Sequence, residues 1–183
     1  AKLFKNKISV DDNVISFGQS ESEKAKNQAQ TSDIFSDKWV EAAEYDSIDK
    51  MYDTQLEWFL QLYGFETEEK LASFLKDKHT IIDTGCGLGY KAAWFAELAP
   101  HAIVLGTDIS DAIEVAAKKY AHLSNLFFFR GDIANTGLKD GVSDFTVCDQ
   151  VIMHTEVPEN TFKHLSDITT AKGEFACYVY SKK

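Results

Sequence analysis

The chain has 183 residues, a hydrophobic fraction of 44% and a formal net charge of -10 at pH 7. This length supports one sizeable hydrophobic core, and no apolar run approaches the roughly 20 residues that span a bilayer, so we expect a single soluble domain. The acidic balance disfavours non-specific binding to nucleic acid or to an anionic membrane and favours a small-molecule or protein partner.

The first part of the chain divides at a change in composition. Residues 1–36 are predicted to form an N-terminal extension, in which one short extended stretch is followed by the polar run "QSESEKAKNQAQ", typical of a mobile linker. Residues 37–78 are aromatic with helical spacing and predict a helical cap. Within this cap, Trp39, Tyr45 and Trp58 either pack in the core or close over a ligand, because aromatic faces attract cations.

Strand patterns alternate with helical or looping stretches from residue 79 to residue 183. Such alternation predicts an α/β fold with a Rossmann-like, doubly wound and mostly parallel sheet, which binds ligands beyond the carboxyl ends of its strands. The chain does not begin with Met and stops directly after a strand-like segment, which suggests that both ends were cut from something longer. The predicted strands are Thr80–Asp83, Ala102–Thr107, Leu126–Arg130, Phe145–Asp149 and Glu174–Tyr180.

Three glycines follow the first of these strands and precede a helix. Gly85, Gly87 and Gly89 allow positive φ and a close approach of the backbone to a ligand, and the helix N-terminus offers unpaired N–H groups. Asp108 ends the next strand about twenty residues later, the spacing at which a carboxylate accepts hydrogen bonds from ribose hydroxyls. The pattern predicts an adenosine-containing ligand, whereas Asp108 as a mere turn or helix cap is the structural alternative.

Two side chains near the loop discriminate between adenosine ligands. A nicotinamide dinucleotide requires a small third residue in its glycine motif, where this chain has Tyr90. Asp83 lies two residues before Gly85, where it repels a pyrophosphate and attracts an ammonium group. These residues favour S-adenosylmethionine over a dinucleotide, so a nicotinamide oxidoreductase is the less favoured alternative.

The upstream segment "QTSDIFSDKWVEAAEYD" resembles, more loosely, the segment before the domain in a bacterial subgroup of small-molecule-type methyltransferases. Four segments further along the chain resemble, in order, the motifs of class I S-adenosylmethionine-dependent methyltransferases. They are "IIDTGCGLG", "VLGTDIS", "FRGDIAN" and "FTVCDQVIMHT". The resemblance implies S-adenosylmethionine as cofactor and methyl transfer as activity. It also implies a set of cofactor-binding residues: Asp83, Gly85, Cys86, Gly87 and Gly89 for the methionine portion, Asp108 and its neighbour Ile109 for the ribose, Asp132 and Ile133 for the adenine, and Asp149.

The chain departs from the family pattern in two ways. The family sheet finishes with a sixth and a seventh strand, but this chain stops after the fifth, so the C-terminal strands are expected to be missing. The related subgroup has a glycine and a histidine near the fourth strand, where this chain has Gln150 and Met153. These departures motivate an alternative function, a catalytically inactive S-adenosylmethionine-binding sensor or partner subunit.

Candidates for catalysis follow the fourth strand. His154 is a candidate general base, because histidine is the side chain best suited to that role near neutral pH, although it can equally pack or cap the following turn. Asp149 is expected to orient the cofactor or substrate, and Glu156 is a third candidate. Tyr178 and Tyr180 on the last strand are predicted to contribute strand packing.

The class of methyl acceptor and the cellular compartment are predicted partly from motifs that the sequence lacks. It has no "NPPY"-like turn and no Pro-Cys nucleophile, so we expect a small-molecule acceptor and no nucleic-acid partner. Cys86, Cys148 and Cys177 are not spaced as metal ligands, so no metal site is predicted, and free thiols in apolar runs suit a reducing cytoplasm. A truncated sheet would leave an open strand edge that could pair with a second copy, so a homodimer is one alternative for the oligomeric state.

Overall fold

The computed structural model describes residues 2–17 and 48–180, and these residues fold around one seven-stranded sheet. The strands are β1 (Ile8–Asp11), β2 (Val14–Phe17), β3 (Thr80–Thr84), β4 (Ile103–Asp108), β5 (Leu126–Arg130), β6 (Ser143–Asp149) and β7 (Thr169–Tyr178). The helices are α1 (Ile48–Leu62), α2 (Glu68–Leu75), α3 (Tyr90–Leu98), α4 (Ala112–Lys119) and α5 (Pro158–Ile168), with a single 3-10 turn at Ile152–His154. The predicted linker "QSESEKAKNQAQ" lies outside the described residues.

The strand order confirms the predicted Rossmann-like, mostly parallel sheet. The order across the sheet is β1-β2-β5-β4-β3-β6-β7, and only β1 runs antiparallel to its neighbour. The chain winds from β3 to β4 and β5 on one side and then returns to place β6 on the other side of β3. The loops after β3 and β6 therefore diverge, and a crevice opens at the carboxyl ends of these strands.

Both faces of the sheet are covered. Helices α1 to α4 pack on one face around Phe59, Phe95 and Phe145, while α5 and the N-terminal segment cover the other around Phe129 and Leu165. Because the central strands are buried on both faces, they consist of continuous apolar or β-branched residues rather than an alternating pattern. No helix within the described ranges combines the length and the apolar character needed to cross a membrane.

The N-terminal segment differs from the single extended stretch predicted from the sequence, because it forms a hairpin. β1 and β2 pair through Asp11 and Val14, and Asp12 at the turn has a φ of 50°, a conformation that Asp tolerates better than most residues. β2 then pairs with β5 through Val14 and Phe128. The side-chain amide of Asn13 also donates to the carbonyl of Ala117 at 3.0 Å. The hairpin thus covers the β5 edge of the parallel sheet.

Helices α1 and α2 lie within the predicted helical cap. Thr67 precedes α2, and its hydroxyl accepts a hydrogen bond from the backbone N–H of Lys70 at 3.3 Å, as expected of an N-cap. Phe59 of α1 packs edge-on against Trp94 of α3, with ring centroids 6.0 Å apart. The cap is thereby fixed to the helix that follows the glycine loop.

The last strand begins earlier than the sequence predicts. β7 starts at Thr169, directly after α5, rather than at Glu174. The polar segment around Gly173 reads as a loop in the sequence, but it pairs with β6 through a register irregularity. A side chain at Gly173 would contact the carbonyl oxygens of Ser143 and Asp144 at 2.9 Å, so the close approach of the two strands requires glycine.

Candidate functional site

A cleft of about 310 Å³ opens at the carboxyl ends of β3, β4 and β6, where the strand order predicts it. Its wall includes eight of the ten residues predicted to bind the cofactor, whereas Gly87 and Gly89 lie behind that wall. The residues that line the cleft are Gln55, Asp83, Gly85, Cys86, Tyr90, Lys91, Asp108, Ile109, Asp132, Ile133, Asp149, Gln150, Val151, His154, Thr155 and Tyr180.

The glycine loop between β3 and α3 depends on two of its glycines for conformation and space. Gly85 has a φ of 75°, and a side chain there would overlap Val151. Gly89 has a φ of 76° and caps α3, and a side chain there would lie 2.7 Å from the ring of Phe128. Left-handed backbone and tight packing together exclude other residue types, so the loop keeps its backbone close to the cleft.

Asp108 fixes this loop from the end of β4. Its Oδ2 accepts from the backbone N–H of Gly87 at 2.9 Å, and its Oδ1 accepts from the backbone N–H and the hydroxyl of Ser110 at 2.9 and 2.6 Å. A carboxylate offers about four acceptor positions, so about one remains after these three bonds. Asp108 therefore both rigidifies the loop and keeps acceptor capacity toward the cleft.

Asp132 and Ile133 form the next part of the wall, after β5. The Oδ1 of Asp132 accepts from the backbone N–H of Ala134 at 2.8 Å, which fixes the orientation of the carboxylate. Ile133 is buried and packs in the same core cluster as Phe129. The pair thus offers a hydrogen-bond acceptor beside an apolar surface, a combination that suits a purine carrying an amino group.

Asp83 at the end of β3 is the most unusual group in the cleft. Its side chain is 2% exposed, and its Oδ2 has no hydrogen-bond partner. Burial raises the pKa of Asp83 to about 6, although the positive charge of Lys91 opposes this shift. The carboxylate accepts a hydrogen bond from the backbone N–H of Ala92, but a buried oxygen without a partner is costly, so Oδ2 is the place where a cationic or donor group of a ligand would be stabilised most.

Asp149 lies across the cleft from Asp83 in a network of its own. Its Oδ2 pairs with the ammonium group of Lys91 at 2.7 Å, and its Oδ1 accepts from the hydroxyl of Tyr63 at 3.3 Å. The Lys91 and Asp149 side chains are only 8% and 7% exposed. Burial, followed by the charge of Asp149, raises the pKa of Tyr63, so the phenol remains a neutral donor. Asp149 is therefore a fixed, charge-paired carboxylate.

His154 and Tyr180 meet at the mouth of the cleft. The hydroxyl of Tyr180 lies 3.1 Å from the Nε2 of His154, and both side chains are exposed to solvent. Glu156 is exposed and does not line the cleft. Of the three catalytic candidates, Asp149 and His154 thus border the cleft.

Several lining residues were not anticipated as site residues from the sequence. Tyr90 stacks on Tyr52 of α1, with ring centroids 4.2 Å apart, and its hydroxyl donates to the side chain of Gln55, which brings α1 to the cleft. Tyr180, predicted as strand packing, lines the cleft instead. Trp58 does not line the cleft, and its ring packs edge-on against Tyr178. The other two predicted lid residues, Trp39 and Tyr45, lie outside the described residues.

Gln150 explains one departure from the family pattern. This residue follows β6 and adopts a φ of 64°, while its backbone N–H donates to the carbonyl of Tyr178 at 3.1 Å. The turn requires a left-handed residue at a position where the related subgroup has glycine. Gln150 therefore retains the backbone geometry at a conformational cost of about 1 kcal/mol.

The charges of the side chains that line the cleft indicate which adenosine-containing ligand it can bind. Four carboxylates face one ammonium group, and among the described residues no three His, Cys, Asp or Glu side chains are arranged to hold a metal ion. An acidic wall of this kind repels a pyrophosphate and attracts a ligand carrying sulfonium and ammonium charges. Together with the unpartnered Oδ2 of Asp83, it fits S-adenosylmethionine and does not fit a dinucleotide.

Comparison with known proteins agrees with this fit. The model of the methyltransferase domain family matches residues 82–177, which is more than half of the chain. No curated protein matches the chain.

Among solved structures, the chain is similar to magnesium protoporphyrin IX methyltransferase from Synechocystis, which was solved with bound S-adenosylhomocysteine. The two share 20% sequence identity with a TM-score of 0.57, and the alignment covers 79% of this chain and 68% of that chain. It is also similar to an S-adenosylmethionine-dependent methyltransferase from Aquifex aeolicus, with 20% identity, a TM-score of 0.55, and 68% and 69% covered. A protein from Pyrococcus horikoshii shares 27% identity, with a TM-score of 0.51 and 60% and 53% covered. The chain spans 47% of the YcgJ protein from Bacillus subtilis, another solved structure to which it is similar, and 53% of the Pyrococcus protein, which is about half the length of each.

Proposed function

Because the chain belongs to the methyltransferase domain family and carries the class I fold whose cofactor is S-adenosylmethionine, we propose that it transfers a methyl group from this cofactor to a small-molecule acceptor. The observation that carries the proposal is the buried carboxylate of Asp83, whose Oδ2 has no hydrogen-bond partner, in an acidic cleft beside a glycine loop. This arrangement stabilises a cationic ligand and leaves no favourable place for phosphates.

The residues of the wall take separate roles in this proposal. Asp83 and the loop between Gly85 and Gly89 receive the amino-acid end of the cofactor, because Asp83 lacks a partner for its Oδ2. Asp108, whose carboxylate retains acceptor capacity, receives the ribose hydroxyls. Asp132 and Ile133 receive the adenine, through the carboxylate and the apolar side chain respectively.

The chemistry requires little from the protein beyond position. When bound, the cofactor supplies an electrophilic methyl group on a sulfonium centre. The protein must align the acceptor with that methyl group and exclude water, which is the main contribution of enzymes to such a step. Asp149 is a positioning residue in this proposal, because its charge is already engaged by Lys91 and Tyr63.

His154 is the proposed general base where the acceptor must lose a proton. It borders the cleft and is exposed, so an acceptor entering at the mouth can reach its ring. The hydroxyl of Tyr180 at 3.1 Å can orient the imidazole. We expect His154→Gln to lower kcat more than it changes the affinity for S-adenosylhomocysteine.

A small acceptor rather than nucleic acid is supported by charge. The chain carries a net charge of -10, and four carboxylates line the cleft against one ammonium group, which disfavours the phosphates of nucleic acid. The division into an extension at residues 1–36, a cap at 37–78 and a cofactor-binding domain at 79–183 remains a prediction. A cytoplasmic location and a homodimer also remain predictions.

Calorimetric titration tests the proposed cofactor. We expect the chain to bind S-adenosylmethionine and S-adenosylhomocysteine but not NAD, and Asp108→Ala to weaken binding at least tenfold. Asp77→Ala, an exposed carboxylate just before the amino end of β3, is the matched control and should bind as the wild type does. A folded wild-type protein that binds neither compound would contradict the proposal.

A screen of small acceptors with radiolabelled S-adenosylmethionine then tests the activity. Label transferred to a compound, and lost in His154→Gln, would support the enzyme. Tight cofactor binding with no transfer to any of a broad acceptor set would instead favour the alternative of an inactive sensor or partner subunit.

A further inference from the structure

We propose that Lys91 is a positioning residue of the cofactor site, whose ammonium group pairs with Asp149 and keeps the buried Asp83 in its charged form for the amino-acid end of the ligand. This inference rests on the proposed function, because it concerns how the same cleft receives its cofactor. The sequence does not point to Lys91, since a lysine in the first turn of a helix usually extends into solvent.

The position of Lys91 is the first argument. It lies in the first turn of α3, its side chain is 8% exposed, and it lines the cleft. Its ammonium group also lies 5.4 Å from the centroid of the Phe59 ring, so one side of the charge faces an aromatic ring rather than water. A lysine removed from water in this way needs anionic partners, and the cleft supplies them.

The second argument is the imbalance of charge around it. Lys91 is the single basic side chain among the described residues of the wall apart from the exposed His154, and it faces four carboxylates. Its direct contact is with Asp149, while Asp83 has an oxygen with no hydrogen-bond partner. Without Lys91, the carboxylates of Asp83 and Asp149 would share the cleft with no counter-charge, and at least one of them would take up a proton.

The groups that act on Asp83 come from several elements. Lys91 favours its ionised form, while the carboxylates of Asp149 and Asp108 oppose it. Asp149 in turn faces Tyr63 and Cys177. Among the described residues, the titratable groups that act on Asp83 include Lys91 and Tyr90 from α3, Cys86 from the glycine loop, Asp108 from β4, and Cys148 and Asp149 from β6.

This arrangement predicts opposite effects from the two members of the ion pair. Burial places the pKa of Asp83 at about 6, so wild-type affinity for a ligand ammonium group should fall as the pH drops through that value. Lys91→Met removes the group that favours ionisation, so the midpoint should move upward by about one pH unit. Asp149→Asn removes an opposing charge and releases Lys91 toward Asp83, so the midpoint should move downward.

The experiment is calorimetric titration with S-adenosylhomocysteine between pH 5.5 and pH 8. We expect Lys91→Arg to keep the wild-type midpoint, Lys91→Met to raise it, Asp149→Asn to lower it, and the double variant to lie between the two single variants. The control ligand is 5′-methylthioadenosine, which lacks the amino-acid end, and its affinity should not follow these midpoints. If Lys91→Met does not fold, the proposal is tested by comparing the midpoint of Asp149→Asn with that of the wild type.

The outcomes separate the two levels of inference. Wild-type protein that fails to bind S-adenosylhomocysteine at pH 8 overturns the proposed function and this inference with it. Wild-type binding with a midpoint that neither single variant moves overturns only the role of Lys91. A uniform loss of affinity at every pH in Lys91→Met would likewise mean that the lysine acts through packing alone.

Discussion

Replacing Asp83 by Asn should stabilise the free protein while it weakens cofactor binding. Burial raises the pKa of this carboxyl from 3.8 to about 6. Between these values the folded state holds more protons than the unfolded state, so the contribution of Asp83 to stability falls as the pH rises. The shift of about 2 units corresponds to about 3 kcal/mol of destabilisation at pH 7, and to about half of that at pH 5.

Asn has nearly the same shape as Asp and carries no charge, so the Asp83→Asn variant should gain most of this free energy. We expect the free energy of unfolding at pH 7 to rise by up to about 3 kcal/mol, measured by urea denaturation, with a smaller gain at pH 5. Affinity for S-adenosylhomocysteine should fall at least tenfold, because the ammonium group loses its carboxylate. Asp77→Asn, an exposed carboxylate, is the control for both measurements. A variant that is no more stable than the wild type, or whose gain does not depend on pH, would refute the reasoning.

Three further changes probe the structure around the cleft. Gln150→Gly should raise the free energy of unfolding by about 1 kcal/mol, because it relieves the left-handed backbone, whereas Gln150→Ala should not; urea denaturation compares them. Burial lowers the pKa of His164, so its contribution to stability is present above about pH 6.5 and is lost as the pH falls. In a plot of the urea midpoint against pH, His164→Gln should therefore reduce the fall of the midpoint below about pH 6.5. Limited alkylation followed by mass spectrometry should label Cys177 first, because its side chain is half-buried and a hydrogen bond with Cys148 lowers its pKa. The same hydrogen bond, followed by burial, raises the pKa of Cys148, and burial raises the pKa of Cys86, so preferential labelling of Cys86 would contradict the structure.

The parts of the fold that could be predicted from the sequence are those with local signals. Each of the five predicted strands is present, because continuous apolar or β-branched runs between turn residues leave few other solutions. The glycine loop and Asp108 were predicted to lie at one ligand site, and the structure joins them by the bond from the Gly87 N–H to the Asp108 carboxylate. Here the order of strands alone brings the ends of β3 and β4 together.

The parts that could not be predicted depend on contacts between distant segments. The sequence pattern predicts that Lys91 faces solvent on its helix. Its partner, Asp149 on β6, is distant in the sequence, and the two meet only in the folded protein. The sequence pattern places Tyr180 with Tyr178 on one strand. In the structure β7 ends at Tyr178, and Tyr180, two residues further on, contacts His154 instead. The N-terminal hairpin was missed because two short strands with a turn at Asp12 cannot be distinguished by pattern from one extended stretch.

The cleft illustrates why a folded protein keeps groups that oppose its own stability. Asp83 is buried with an unpartnered oxygen, and Lys91 and Asp149 form an ion pair in a position where apolar side chains of similar volume would be at least as stabilising. The two-sided core around Phe95, Phe129 and Phe145 offsets this cost, as does the pairing of β3 with both of its neighbours. A ligand that binds only the folded state returns stability as its concentration exceeds its Kd, by about 2.7 kcal/mol at a hundredfold excess. At that excess, the stabilisation by a bound cofactor is close in size to the roughly 3 kcal/mol lost at Asp83, and removing the charge should reduce the stabilisation that the cofactor adds.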